Sequence, residues 1–348
     1  MQSLPPALFI VMLELTAGAF LTLYLLDRRG DTSRGYIIFQ GALYFIFALL
    51  TYGAMQSFAT PTLLRAFGLD AAWLAWQPPL VLAFMLLLIP WNILLWLDPT
   101  APRKKGAWAA AKAEAEPAAA SPASPESGQA VRAAPRWVVP ARHLVGGATA
   151  LAGMAAVFAV GMAYRPLADA RLGGVFVVAA FLAGAIALGG VMTAMLLGHW
   201  YLNTPTASGK PLEFSTIFLL AGLAAELAFL LLAGPSTAHA IAGSTIVAPG
   251  TTIITTDGGL VITTPTPLPP GQTPPPTIQR AAPIGTDAMV WLQYLLGFLA
   301  PLALGAVSLW LVRGRSFQSA TGMLYLATAF IFIGEILSRA LLVQPLFM

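Results

Sequence analysis

Eight apolar runs, each long enough to cross a hydrocarbon layer, constrain this chain more than any other feature. A bilayer core of about 30 Å needs about 20 helical residues. Runs of that length fall near 7–26, 36–57, 74–97, 141–163, 172–200, 212–233, 288–312 and 318–342. In lipid a backbone must satisfy its own polar groups, so each run is expected to be a helix. Only 9% of the residues are charged, where a soluble domain carries roughly 25%. The expected fold is an all-α integral membrane protein, a polytopic bundle of eight transmembrane helices.

Two inserts divide the series. The expected order is helices 1–3 over 1–98, an Ala/Pro/charged insert over 99–136, helices 4–6 over 137–233, a Thr/Pro-rich loop over 234–286, and helices 7 and 8 over 287–348. The first insert has no periodic apolar face and reads as a disordered cytoplasmic segment. In the second, Asp257-Gly258-Gly259 lies between two β-branched runs, which predicts a β-hairpin. Pro is tolerated in a first turn, so the third helix is expected to begin at Pro78-Pro79 or slightly before. Pro90 and Pro301 should kink the third and seventh helices.

Charge asymmetry predicts orientation. With the N-terminus outside, thirteen Lys and Arg residues fall in inner loops and four in outer ones. The positive-inside rule then gives a multi-pass plasma-membrane protein with both termini outside. Seven tryptophans (Trp73, Trp76, Trp96, Trp137, Trp200, Trp291 and Trp310) fall near helix ends, where interfacial anchors belong. The net charge of +4 follows from this sidedness and is no nucleic-acid signature. The absence of Cys removes disulfides, Cys-ligated clusters and thiol catalysis.

The chain also admits two parallel four-helix repeats. Thr16 to Asp27 can be laid over Leu188 to His199, and the third and seventh spans each open with Trp-Leu and contain a mid-span Pro. Small residues at four-residue spacing, such as Gly190, Ala194 and Gly198, mark faces for close helix packing.

Chemistry is expected where charge is buried. Glu335 and Arg339 share a face of the last helix at i, i+4 and can pair. Glu14, Glu226 and Glu335 each lie seven residues from an outer helix end, about 10 Å deep. Tyr52 and Tyr294 fall in the same outer third. If their helices are neighbours, these side chains form one polar chamber. A buried carboxylic acid there suits proton uptake from a quinol or proton-coupled transport. The alternative is a set of structural hydrogen bonds that lock helices together. His199, at an inner helix end, is placed either to relay protons, to bind a headgroup or to act as an interfacial hydrogen-bonding group. No metal-ligand cluster, phosphate-binding loop or nucleophile elbow stands out, and no two histidines are matched in depth for a haem.

The segments Leu8-Phe9-Ile10-Val11, Ala17-Gly18-Ala19-Phe20 and Gly334-Glu335-Ile336-Leu337-Ser338-Arg339-Ala340-Leu341-Leu342 carry a resemblance. They are similar to the first and last spans of the membrane anchors of polysulfide- and dimethyl-sulfoxide-reductase-type complexes. That resemblance implies a haem-free bundle that passes electrons between membrane quinone and an iron–sulfur or molybdenum partner subunit, with no covalently bound cofactor. It carries over only Glu335 and Arg339 as site residues. Three readings follow: a quinone-interacting subunit of a respiratory oxidoreductase, a proton-coupled transporter, and a non-catalytic accessory subunit. In the first, Glu14, Glu226 and Glu335 handle protons, Tyr52 or Tyr294 bonds the quinone, and Arg339 holds Glu335.

Overall fold

A computed structural model describes residues 4–60, 64, 69–98, 135, 137–167, 174–204, 208–233, 252–255, 261–264 and 291–343. Among them, eight helices are long and apolar enough to cross a membrane. They are α1 (Leu4–Arg29), α2 (Arg34–Phe58), α3 (Ala71–Leu97), α4 (Val138–Tyr164), α5 (Val175–Asn203), α6 (Lys210–Ala233), α7 (Gln293–Arg313) and α8 (Phe317–Val343). The protein is therefore an all-α polytopic membrane protein in its described body. The expected disordered insert lies outside the described residues. Of the second insert, two short strands are described, Thr252–Thr255 and Val261–Thr264, paired antiparallel with Thr252 opposite Thr264.

Local chemistry sets the helix ends. Gly30, at φ 69°, takes the left-handed turn that stops α1, and its N–H donates to the Leu26 carbonyl at 3.2 Å. Asp70 caps α3 by accepting from the Ala72 N–H at 3.1 Å. The cap starts α3 well before Pro78 and Pro79, which therefore lie inside the helix and not in its first turn. Pro301 acts differently from a simple kink. It offers no N–H to the Gly297 carbonyl and its ring presses on that carbonyl. The backbone before it widens to a π-helix over Gln293–Leu299, in which the Ala300 N–H reaches the Leu295 carbonyl.

The packing divides into two rings of four. α1 packs on α2 and α4, and α3 packs on α2 and α4; in the same way α5 packs on α6 and α8, and α7 packs on α6 and α8. The rings meet chiefly through α1 against α5, with α1 also touching α8 and α4 also touching α5. Exchanging the first four helices for the last four leaves this pattern unchanged. That is the arrangement of two parallel units about an axis that passes between α1 and α5. The α1–α5 contact is backbone against backbone: a side chain at Gly18 would run into the Ala185 carbonyl, and one at Gly189 into Gly18. Gly190 instead faces Leu219 of α6, so the overlay of Thr16–Asp27 on Leu188–His199 does not describe the contact itself.

The two ends of the bundle differ. One, the N-terminal face, carries the start of α1. The other, the basic face, carries Arg28, Arg29, Arg34, Arg142, Lys210, Arg313 and Arg315. Trp76 and Trp291 are exposed toward the first, and Trp96, Trp137 and Trp310 toward the second, so the rings sit in two belts.

Candidate functional site

Arg339 of α8 gathers three carboxyl groups from three helices. Its Nη2 lies 2.8 Å from Glu14 Oε1 on α1, 3.2 Å from Glu226 Oε1 on α6 and 3.0 Å from Glu335 Oε2 one turn earlier on α8. Its Nε donates to both oxygens of Glu14, at 3.0 and 3.2 Å. Nη1 reaches Ser338 Oγ at 3.4 Å. All four charged residues are buried, none more than 3% exposed. The depth match in the sequence therefore reflects real proximity, and the i, i+4 pairing of Glu335 with Arg339 is formed.

α5 builds the floor of this cluster. The guanidinium carbon of Arg339 sits 4.4 Å from the Phe181 ring centre, a cation–π contact in a dry setting. Beside it, Gly184 leaves room for the guanidinium, since a Cβ there would stand 2.6 Å from Nη2. Neither Phe181 nor Gly184 stands out in the sequence. Both belong to an apolar run, and only the approach of α8 gives them a role.

The charges do not balance. One guanidinium faces three carboxyl groups, and it is committed most fully to Glu14. Oε2 of Glu226 accepts no hydrogen bond, and Oε2 of Glu335 has only its ionic contact with Nη2. Those two carboxyl groups lie within hydrogen-bond reach of each other. Two carboxylates repel at such range, whereas one carboxyl and one carboxylate can bond through a shared proton. Neutrality of the cluster requires two protons.

The other expected site residues lie elsewhere. Tyr52 is half-buried and packs against an apolar cluster to which both units contribute. Tyr294 stacks between Trp291 and Phe298, at centroid distances of 6.4 and 6.2 Å. His199 Nδ1 pairs with the Tyr325 hydroxyl at 3.2 Å toward the basic face. None of the three contributes to the polar contacts of Arg339 and its carboxylates.

A second buried network closes the basic face of the first unit. Arg142 pairs with Asp27 at 3.1 Å and with Asp98 at 2.6 Å, and Arg34 pairs with Asp98 at 3.2 Å. Arg34 also donates to the Leu95 carbonyl. His143 stands 3.9 Å from Asp27. Two acids balance two guanidiniums here, so this network carries no net excess apart from His143. Its position at the meeting ends of α1, α2, α3 and α4 is that of a clamp.

The chain matches no protein-family model, no curated protein and no solved structure.

Proposed function

We propose that this protein is a proton-coupled membrane transporter whose proton site is the Arg339 cluster. The observation that carries the reading is the unequal sharing of Arg339. Glu14 belongs to the first four-helix unit, whereas Glu226, Glu335 and Arg339 belong to the second. The guanidinium thus bonds across the units to Glu14 and within its own unit to a carboxyl pair that needs a proton. When both carboxyls of the pair are protonated, the charge of Arg339 is left to Glu14. When they lose protons, they compete for it. Proton binding is thereby tied to the bond between the units, which is what coupling of protons to a rearrangement requires.

On this reading the basic face is cytoplasmic and both termini lie outside the plasma membrane, as the distribution of Lys and Arg favours. The quinone reading assigned a tyrosine hydroxyl to the same chamber, and neither Tyr52 nor Tyr294 takes part in the polar contacts described for the cluster. A redox partner subunit is not needed for the proton site to work.

The test is an infrared titration of the protein in lipid. A carboxyl C=O band that shifts in D2O is expected, and Glu226→Gln and Glu335→Gln should each diminish it. No such band across the accessible pH range, or a band untouched by both variants, would overturn the reading.

A further inference from the structure

Among the described residues, the cluster is one of two hydrogen-bonded contacts between the units, beside a cation–π contact of Arg29 with Phe214 at the basic face. The other hydrogen-bonded contact lies on the far side of the glycine contact, toward the basic face. There Tyr36 and Tyr44 of α2 reach across to α5. The Tyr36 hydroxyl donates to the Thr193 carbonyl at 2.9 Å, and the Tyr44 hydroxyl meets the Thr193 hydroxyl at 3.0 Å. Gln40 lies one turn from each tyrosine on the same stripe of α2 and is fully buried. Its carboxamide lies within hydrogen-bond reach of the Tyr36 hydroxyl, whose own hydrogen goes to Thr193.

Three features fall in order along the unit interface. Glu14–Arg339 joins α1 to α8 on the N-terminal side. Gly18 against Ala185 and Gly189 joins α1 to α5 near mid-length of both helices. Tyr36 and Tyr44 with Thr193 join α2 to α5 on the basic side. Glu14 and Thr193 each stand four residues from Gly18 and Gly189 respectively, about 6 Å along the helix, in opposite directions.

We infer that the two four-helix units rock about the Gly18–Ala185–Gly189 contact, with Arg339–Glu14 and Tyr36/Tyr44–Thr193 as opposed latches, so that one side of the interface opens as the other closes. This inference rests on the proton-site reading for its driving force. A contact of main chain against main chain has no side chains to interdigitate, and it serves as a pivot better than meshed side chains do. The latches differ in kind. The N-terminal latch is ionic and shares Arg339 with Glu226 and Glu335. The basic-side latch is neutral, with the buried Gln40 carboxamide beside Tyr36 positioned to take water once it opens. The charged and titratable groups that face Arg339 are Glu14 from α1, Glu226 from α6 and Glu335 from α8, while α5 presents only Phe181 and Gly184. Protons on Glu226 and Glu335 strengthen the ionic latch, and their loss weakens it.

The chain has no Cys, so pairs of spin labels can be placed on introduced cysteines without background. One pair, Ala72→Cys with Leu292→Cys, spans the units at the starts of α3 and α7 on the N-terminal face. A second pair, Leu97→Cys with Gly314→Cys, spans them at the basic face. Double electron–electron resonance on the full chain in lipid is expected to show the first distance lengthening and the second shortening as pH rises. In a Glu226→Gln, Glu335→Gln background both distances should stay at their low-pH values. Tyr44→Phe should shift both toward the form with the basic side open. If the infrared carboxyl band titrates but the two distances stay fixed, or change in the same sense, rocking is overturned and the proton site stands. If the band itself is absent, the proton-site reading fails first, and rocking survives only if Tyr44→Phe still moves the two distances in opposite senses.

Discussion

Gly184 of α5 and Arg339 of α8 occupy space that only one of them can fill. A Cβ at position 184 would lie 2.6 Å from Arg339 Nη2, and 3.3 and 3.4 Å from the Glu226 oxygens. Gly184→Ala is therefore expected to displace the guanidinium and cost about 1–3 kcal/mol, the usual range for overpacking. Gly322, where nothing lies within 4 Å of an added Cβ, is the control. Gly322→Ala should leave the thermal unfolding midpoint unchanged or raise it. Equal behaviour of the two variants would mean that Arg339 does not depend on the gap.

Removing the cation of the cluster should be severe. Arg339→Gln strands up to three carboxylates in a buried site, and breaking a buried pair of this kind costs about 3–5 kcal/mol. Glu14→Gln added to it should restore part of the loss, because Glu14 takes both the Nε and an Nη2 contact. Arg339→Lys should not rescue, since an ammonium cannot offer that fork. A lysine variant with wild-type stability in detergent unfolding would show that the fork geometry is unimportant.

The carboxyl pair should respond in the opposite sense. Glu226→Gln or Glu335→Gln removes one negative charge from a site that has too many. Each variant is expected to match or exceed the wild type in stability at neutral pH, while the infrared carboxyl signal falls. A large loss of stability would indicate that both groups are held ionised by partners.

Two acids at the basic face, Asp98 and Glu213, separate burial from charge. Asp98, which is 2% exposed, serves both Arg34 and Arg142, so Asp98→Asn should destabilise by about 3 kcal/mol or more. Arg313 and Glu213 form a similar contact at 2.7 Å, but on the surface. Arg313→Gln should cost about 1 kcal/mol or less, and added salt should erase the difference. Chemical unfolding of the two variants side by side checks the contrast.

What could be read from the sequence follows from what lipid demands of a chain. The eight spans, their small-residue faces and the common depth of Glu14, Glu226 and Glu335 all come from length, rise per residue and the cost of burying charge. Depth is one coordinate only. It brought Tyr52 and Tyr294 to the same level as the carboxylates, but the contacts described for them are with apolar and aromatic neighbours. Rotation depends on which helices are neighbours, and the ring order was not legible. The same limit hid Phe181, Gly184 and the clamp at Asp27, Arg34, Asp98 and Arg142. Those residues read as apolar filling or as loop charges until α5 meets α8 and the four helix ends meet one another.

The π-helical stretch before Pro301 has a bearing on the history of the chain. A widened turn of this type is what one additional residue leaves behind when it enters an α-helix whose two ends are already fixed by packing. Here Gly305 on one side is held against α6, and Gly297 within the stretch is held against Gly334 of α8. A version of the chain shorter by one residue between Gln293 and Pro301 would keep everything from Ala300 onward in place. The portion before it would keep its face as well, because losing the residue returns the widened turn to an α-helical one. Related chains should therefore differ in length by single residues at this point, and comparisons of sequence across α7 need a gap there to keep the faces of the helix aligned.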